Sequence, residues 1–303
     1  MSIDKTDAER REGTQGFQAV PRGRARRFGR FARLAGGVAG NMLAHGAVQL
    51  AAGKRPRAKD LMLTPKNAMK LTRQLAEMRG AAMKLGQIFS MDTGDLLPRE
   101  FADILATLRD RGYAMPDAQL EEGLIEGLGA DYADKLRHFE REPFAAASIG
   151  QVHRLRTRDG RAAVLKVQYP GIRESIDSDV DNLASLLSMS GLLPKHMDMV
   201  PLLEEAKTQL HEEADYEQEA RYLKAFVRAL SDDDRFLIPR LIPHLSATRI
   251  LGMTYVPGIP IEDLAHETAA ERSRVLGLLF ELLMIELFQL RLVQTDPNFA
   301  NYR

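Results

Sequence analysis

Cysteine is missing altogether from this chain. That excludes disulfides, thiolate zinc sites and cysteine nucleophiles, and it suits a reducing compartment. An excess of one charge is missing too: 42 Lys plus Arg offset 42 Asp plus Glu, a formal net charge of zero. Nothing in that balance attracts nucleic acid globally. The 7 histidines are scattered, without an H-E-x-x-H or similar ligand pair, and no internal repeat appears. No stretch reads as a membrane span. The Gly/Ala-rich segment 34–52 comes nearest, but Asn41, His45 and Gln49 would each cost free energy in hydrocarbon. A secretory apolar core is absent, and Asp4, Asp7, Glu9 and Glu12 argue against a transit peptide.

What is present begins with a polar tail of mixed charge, followed by a basic run of Arg22, Arg24, Arg26, Arg27, Arg30 and Arg33, with Phe28 and Phe31 interleaved. An arginine-led, weakly apolar segment suits an anionic membrane surface. It equally suits a solvated basic tail leading into a packed helix. With 303 residues the chain can bury a real core as one large or two small domains.

Apolar periodicity predicts a helix over 70–92, where Leu71, Leu75, Met78, Ala82, Leu85 and Phe89 recur at three- and four-residue steps. Further helices are expected over 99–109 and 117–128. From Phe144 the pattern changes: 152–156 and 161–167 are strand-like runs joined across Asp159-Gly160, a hairpin signal. One long helix is expected over 200–230, short strands over 236–242 and 247–256, and a helix over 269–292. Helices, a small sheet, then helices make the fold class α+β.

Lys166 lies inside the apolar strand Ala162-Ala163-Val164-Leu165-Lys166-Val167. An ammonium there needs an anionic partner or bound anion, unless it snorkels to water from an edge strand. Before the hairpin, Ala145, Ala146, Ala147 and Ser148 form a run of small side chains, of the kind that lets backbone amides approach phosphate; alone, it is only a loop. Glu213, Asp215, Glu217 and Glu219 make an acidic stretch on the expected long helix, by default a solvated face. There Asp215 and Glu219 would share a face with Tyr222 and Phe226. Near the end, Asp296 stands five positions ahead of Asn301, the D-x-x-x-x-N spacing in which an Asp orients a nucleophile and an Asn holds a metal ion. Asp-Pro-Asn is also ordinary turn chemistry.

Taken in order, these pieces resemble the ABC1/ADCK/UbiB atypical kinase family from about residue 70 onward. Lys84-Leu85-Gly86-Gln87 is similar to its K-x-G-Q motif, and Ala145-Ala146-Ala147-Ser148 to its alanine-rich loop. Val164-Leu165-Lys166 resembles the V-A-x-K strand, Glu213-Ala214-Asp215 the E-x-D motif, and Tyr255-Val256-Pro257-Gly258 the hinge between lobes. The resemblance implies a protein-kinase-like fold: a basic segment 1–60, a helical extension 61–140, a small lobe 141–258 and an incomplete large lobe 259–303. It implies ATP or ADP with Mg2+ as ligands. Lys166 would meet the phosphates with Glu219 holding it, and Asp296 would orient the attacking group. Asn301 would ligate the metal; Val152, Tyr255 and Val256 would join the alanine loop around the nucleotide. Lys84, Gln87, Glu213 and Asp215 would be regulatory, Lys84 reaching the acidic pair. Gln294 stands where ordinary kinases carry histidine. An isoprenoid-lipid substrate, ubiquinone-biosynthesis partners and a cytoplasmic location, peripheral at the inner membrane, follow by the same resemblance.

One family element is missing: no D-F-G triplet occurs. The expected helix over 269–292 is apolar nearly all round and calls for cover on several sides. Both features suggest a fragment with impaired phosphoryl transfer. The other reading is a non-catalytic nucleotide-binding scaffold for membrane-associated lipid enzymes.

Overall fold

The computed structural model describes residues 78–92, 114–190, 198–294 and 301–303, with isolated positions 29, 36, 37, 40 and 49. The start of the expected 70–92 helix, the whole 99–109 helix, nearly all of the basic run and Asp296 lie outside the described residues. Among the described residues, no helix is long and apolar enough to cross a membrane.

A five-stranded antiparallel sheet organises the chain. Its strands are β1 (Leu136–Phe139), β2 (Ala145–Ala146), β3 (Gly150–Thr157), β4 (Ala162–Gln168) and β5 (Ile250–Thr254). The order is β1-β3-β4-β5, with β2 also paired to β3. The expected hairpin is β3–β4, and Gly160 at its turn has φ 86°, a left-handed value that favours glycine. Along β3, Gln151, His153, Leu155 and Thr157 are buried, while Val152 and Arg154 face the other way and are half-buried. Central β4 is buried at every position except exposed Ala162 and half-buried Lys166.

Six α-helices surround the sheet among the described residues: α1 (Arg79–Asp92), α2 (Asp117–Leu128), α3 (Ile172–Ser190), α4 (Val200–Glu213), α5 (Tyr216–Ala229) and α6 (Ala269–Met284). Helix α2 has the expected bounds and buries Leu120, Leu124 and Leu128, one residue per turn. Helix α1 packs against α3 and α4, and its Met78, Ala81, Ala82 and Leu85 join one core with Ile176, Val180, Leu183, Ala206 and Leu210.

Four features depart from the sequence expectation. Helix α3 was not anticipated: its buried Ile172, Ile176, Val180 and Leu183 have helical spacing, but five Ser and Asp residues between 175 and 181 mask it. The long helix over 200–230 is two helices, broken at Ala214 and Asp215. Asp215 has φ −90° and ψ 82°, and its carboxylate accepts the Gln218 N–H at 2.9 Å as the N-cap of α5. Asp215 is therefore not on a helix face shared with Glu219. Segment 236–242 forms no regular strand: Leu241 makes a single bridge to Met253, and Pro239 before it has no N–H for a ladder. Finally, the 269–292 helix ends in a π-helical turn at Ile285–Leu290, stopped by Arg291 in the left-handed region (φ 52°).

The apolar sides of α6 and this turn stay open. Leu276 and Phe280 are each 63 % exposed and Phe288 75 %, while Val275, Leu278, Leu279 and Leu282 are half-buried, so the described residues cover such a helix only in part.

Candidate functional site

Sheet register lines up Ala145, Val152 and Lys166 as direct cross-strand neighbours on one face. Ala145 and Ala146 are exposed, and Ala147 and Ser148 are half-buried, so the small-residue run borders this face rather than the core. The Lys166 ammonium donates to both carboxylate oxygens of Glu219, at 2.9 and 2.8 Å. The lysine side chain is 15 % exposed and that of Glu219 36 %, so the pair sits at the margin between interior and solvent. The strand lysine is anchored by a helical glutamate, and snorkelling is excluded.

The break between α4 and α5 places that glutamate. The backbone carbonyl of Ala214, left at the end of α4, accepts the Gln168 side-chain amide at 2.9 Å. This bond ties the end of β4 to the start of α5 and sets Glu219 one turn along, beside Lys166. Glu213, the last residue of α4, accepts the Ser148 hydroxyl. The alanine-rich run is thus moored to the acidic segment through Ser148.

Between the two glutamates lies Tyr216, 1 % exposed, with Lys166 Nζ 4.8 Å from its ring centroid. Burial pushes its phenol well above the ordinary range, and the neighbouring Glu219 and Glu213 carboxylates add to the shift, so it is neutral. Gly150 roofs it: a Cβ there would lie 3.0 Å from the Tyr216 hydroxyl and 2.5 Å from the Val167 carbonyl.

At the other end of the face, the Tyr255 N–H donates to the Ala162 carbonyl at 3.1 Å as the chain leaves β5, and Val256 follows half-buried. Arg154, two residues along β3 from Val152, lays its guanidinium 3.8 Å from the Phe144 centroid and 5.4 Å from that of Tyr255. Phe144 and Tyr255 themselves meet edge to face at 6.1 Å. The sequence reading overlooked Phe144, Arg154 and Tyr216. The period-two alternation that put Val152 on this face also pointed to Arg154, and Tyr216 stands one helical turn before Glu219.

Lys84 lies on α1 and is 6 % exposed; α1 packs against α3 and against α4, the helix that ends at Glu213. Gln87 is on the same helix. Asn301 is exposed beside Tyr302, whose hydroxyl donates to the Gln294 side chain at 2.7 Å. The Gln294 N–H in turn donates to buried Glu286 at 3.1 Å. Both described ends of the segment carrying the D-x-x-x-x-N spacing therefore converge on Gln294. Among the described residues, no group of three or more His, Asp or Glu could hold a metal ion.

The ABC1 atypical kinase-like domain matches residues 107–303. The chain is 36% identical to the atypical kinase COQ8, mitochondrial, of Saccharomyces cerevisiae over 301 residues, covering 99% of this chain and 60% of that protein. It is 37% identical to coq-8 of Caenorhabditis elegans over 289 residues (94% and 38%) and 39% identical to COQ8B of Rattus norvegicus over 240 (79% and 46%). It thus spans 60% or less of the length of these curated relatives. Among solved structures, the Rv3197–erythromycin complex from Mycobacterium tuberculosis superposes with a TM-score of 0.53 at 29% identity, over 78% of this chain and 60% of that one. The antiparallel sheet, the paired strand lysine and the domain match agree on a kinase-like fold, and the chain belongs to the ABC1 atypical kinase-like family.

Proposed function

We propose that this chain carries the nucleotide-binding part of an atypical kinase or ATPase that uses ATP (or ADP) with Mg2+ in support of ubiquinone or related isoprenoid-lipid biosynthesis. The bidentate Lys166–Glu219 pair on the face bordered by the alanine run carries this reading. A lysine held this way presents a fixed cation to the α/β-phosphates, and the small side chains of Ala145, Ala146, Ala147 and Ser148 leave room for backbone amides to approach them. Val152, Tyr255 and Val256 would flank the base. Asp296 would orient the attacking hydroxyl or water, most of the rate gain coming from positioning and charge neutralisation. Lys84, Gln87, Glu213 and Asp215 would form a regulatory group in which a second lysine competes for the carboxylates. We keep the same domain division: segment 1–60, helical extension 61–140, small lobe 141–258 and large-lobe portion 259–303.

The donor set suits a nucleotide better than a free metal. Asn301 offers one hard oxygen, and Mg2+ commonly draws its remaining ligands from substrate phosphates and water. When bound there, Mg2+ supplies charge neutralisation of the phosphate oxygens.

Titration with a fluorescent ATP analogue tests the reading. Losing a charge-assisted contact costs about ten- to a hundredfold in affinity, so Lys166→Met and Glu219→Gln should weaken binding by that order. Wild-type affinity in Lys166→Met would overturn it. No D-F-G triplet is among the 303 residues, so binding should outlast turnover. Clear Mg2+-dependent ATP hydrolysis abolished by Asp296→Ala would refute that part.

The open apolar side of α6 favours a second reading, a nucleotide-binding scaffold for membrane-associated lipid enzymes. Nucleotide binding combined with association of a lipid enzyme that Phe280→Glu abolishes would select it, since both readings expect little turnover from these residues. Placement in a bacterial-type cytoplasm, at the inner membrane surface, is part of the proposal. It is tested by flotation with liposomes with and without residues 1–52.

A further inference from the structure

The carboxylates of Glu219 and Glu213 both lie close enough to the Tyr216 phenol to raise it, and the Lys166 ammonium pairs with the first of them. Glu219 takes both hydrogen bonds, at 2.9 and 2.8 Å, while Glu213 accepts the Ser148 hydroxyl. Tyr216 stands between the two in the chain, three residues after Glu213 and three before Glu219. Its ring lies 4.8 Å from Lys166 Nζ, inside the range over which an aromatic face attracts a cation. The hydroxyl is buried with no hydrogen-bond partner among the described residues. A buried tyrosine usually finds its O–H a partner, so the feature used here is the ring. Tyr216 is 1 % exposed, and Gly150 closes on its hydroxyl end, where a Cβ would lie 3.0 Å from the phenol oxygen.

We propose that Tyr216 is a positioning residue for Lys166: the face of its ring holds the ammonium on Glu219 and keeps it off Glu213. Glu213 is thereby left to moor Ser148 of the alanine-rich run, and one aromatic ring assigns both carboxylates their tasks. The negative ring face supplies a third side to a cation whose other sides are the Glu219 oxygens. A leucine of similar bulk would fill the space without that attraction. The placement belongs to the protein without ligand; its consequence for affinity rests on the nucleotide reading above.

Acylation of Lys166 by limiting N-acetoxysuccinimide, followed by peptide mass spectrometry on the whole chain without nucleotide, measures how firmly the ammonium is held. Tyr216→Phe should label as slowly as the wild type, and Tyr216→Leu about three- to tenfold faster. Phenylalanines carrying one, two and three ring fluorines at position 216 keep the shape while draining the ring face. Labelling should rise with each fluorine, and this series decides the matter if Tyr216→Leu fails to fold. A flat response across the series overturns the proposal, as does Tyr216→Phe labelling as fast as Tyr216→Leu, which would assign the role to the hydroxyl. ATP-analogue affinity should fall in the same order. Graded labelling with unchanged affinity would sink the nucleotide reading and leave the positioning role standing.

Discussion

His153 is fully buried on the core side of β3, stacked at 5.2 Å on Phe139. Its Nδ1 faces the Glu140 carbonyl at 2.9 Å and its Nε2 the Gln151 side-chain amide at 2.8 Å. The Gln151 carbonyl oxygen accepts the Met115 N–H, which turns its NH2 toward the ring, so Nε2 accepts, Nδ1–H donates and the imidazole is neutral. Burial lowers its pKa to about 4 from the ordinary 6.5. Between those values the unfolded chain takes up a proton that the folded chain refuses. The stabilisation is therefore complete above pH 6.5 and lost as pH falls toward 4. Stability should drop by about 1 kcal/mol between pH 7 and 5.5, before carboxylates titrate, and urea unfolding at the two pH values would show it. His153→Gln should be less stable at pH 7 yet lack this slope. Nothing in the pattern around 150–157 announced the histidine, because an isolated His in a strand carries no local signal of its partners.

The break between α4 and α5 is the element on which the site turns. A continuous helix would place Glu213 and Glu219 by helical periodicity alone; the break re-aims α5 so that Glu219 meets β4. Apolar and charged positions continue across 213–216 without interruption, and for that reason the segment reads as one helix. The cue that betrays the break is Asp215 followed three residues later by Gln218, a capping pair. Asp215→Ala should cost about 1 kcal/mol and be visible as a lowered Tm, with a larger loss of ATP-analogue affinity than an exposed control such as Glu217→Ala. Gly150→Ala tests the roof over Tyr216. A methyl 2.5 Å from the Val167 carbonyl forces a backbone shift, with an expected cost of about 1–3 kcal/mol by chemical denaturation.

At the scale of the molecule, charge is balanced and the core is one connected cluster running from α1 through the sheet to α3 and α4. Helix α6 adds none of its own residues to that core. Its open side, with Leu276 and Phe280 each 63 % exposed and Phe288 of the π-helical turn 75 % exposed, makes a contiguous sticky surface. Phe280→Glu with Phe288→Glu should reduce self-association in sedimentation velocity. Tm should move by less than about 0.5 kcal/mol equivalent, since exposed side chains contribute little to folding. A large fall in Tm would mean that these side chains are packed in solution.

The Asp159-Gly160 hairpin, the bounds of α2 and the strand placement of Lys166 were legible in the sequence, because each rests on local periodicity or turn chemistry acting over a few residues. The motif order also pointed to Glu219 as the lysine's partner. Tertiary structure decided the rest: that Glu213 bonds Ser148, that Tyr216 lies under Lys166, and that Arg154 stacks between Phe144 and Tyr255. Those contacts join residues from ten to about a hundred positions apart along the chain. They depend on strand register and on the angle of one helix break, and no window of sequence contains both.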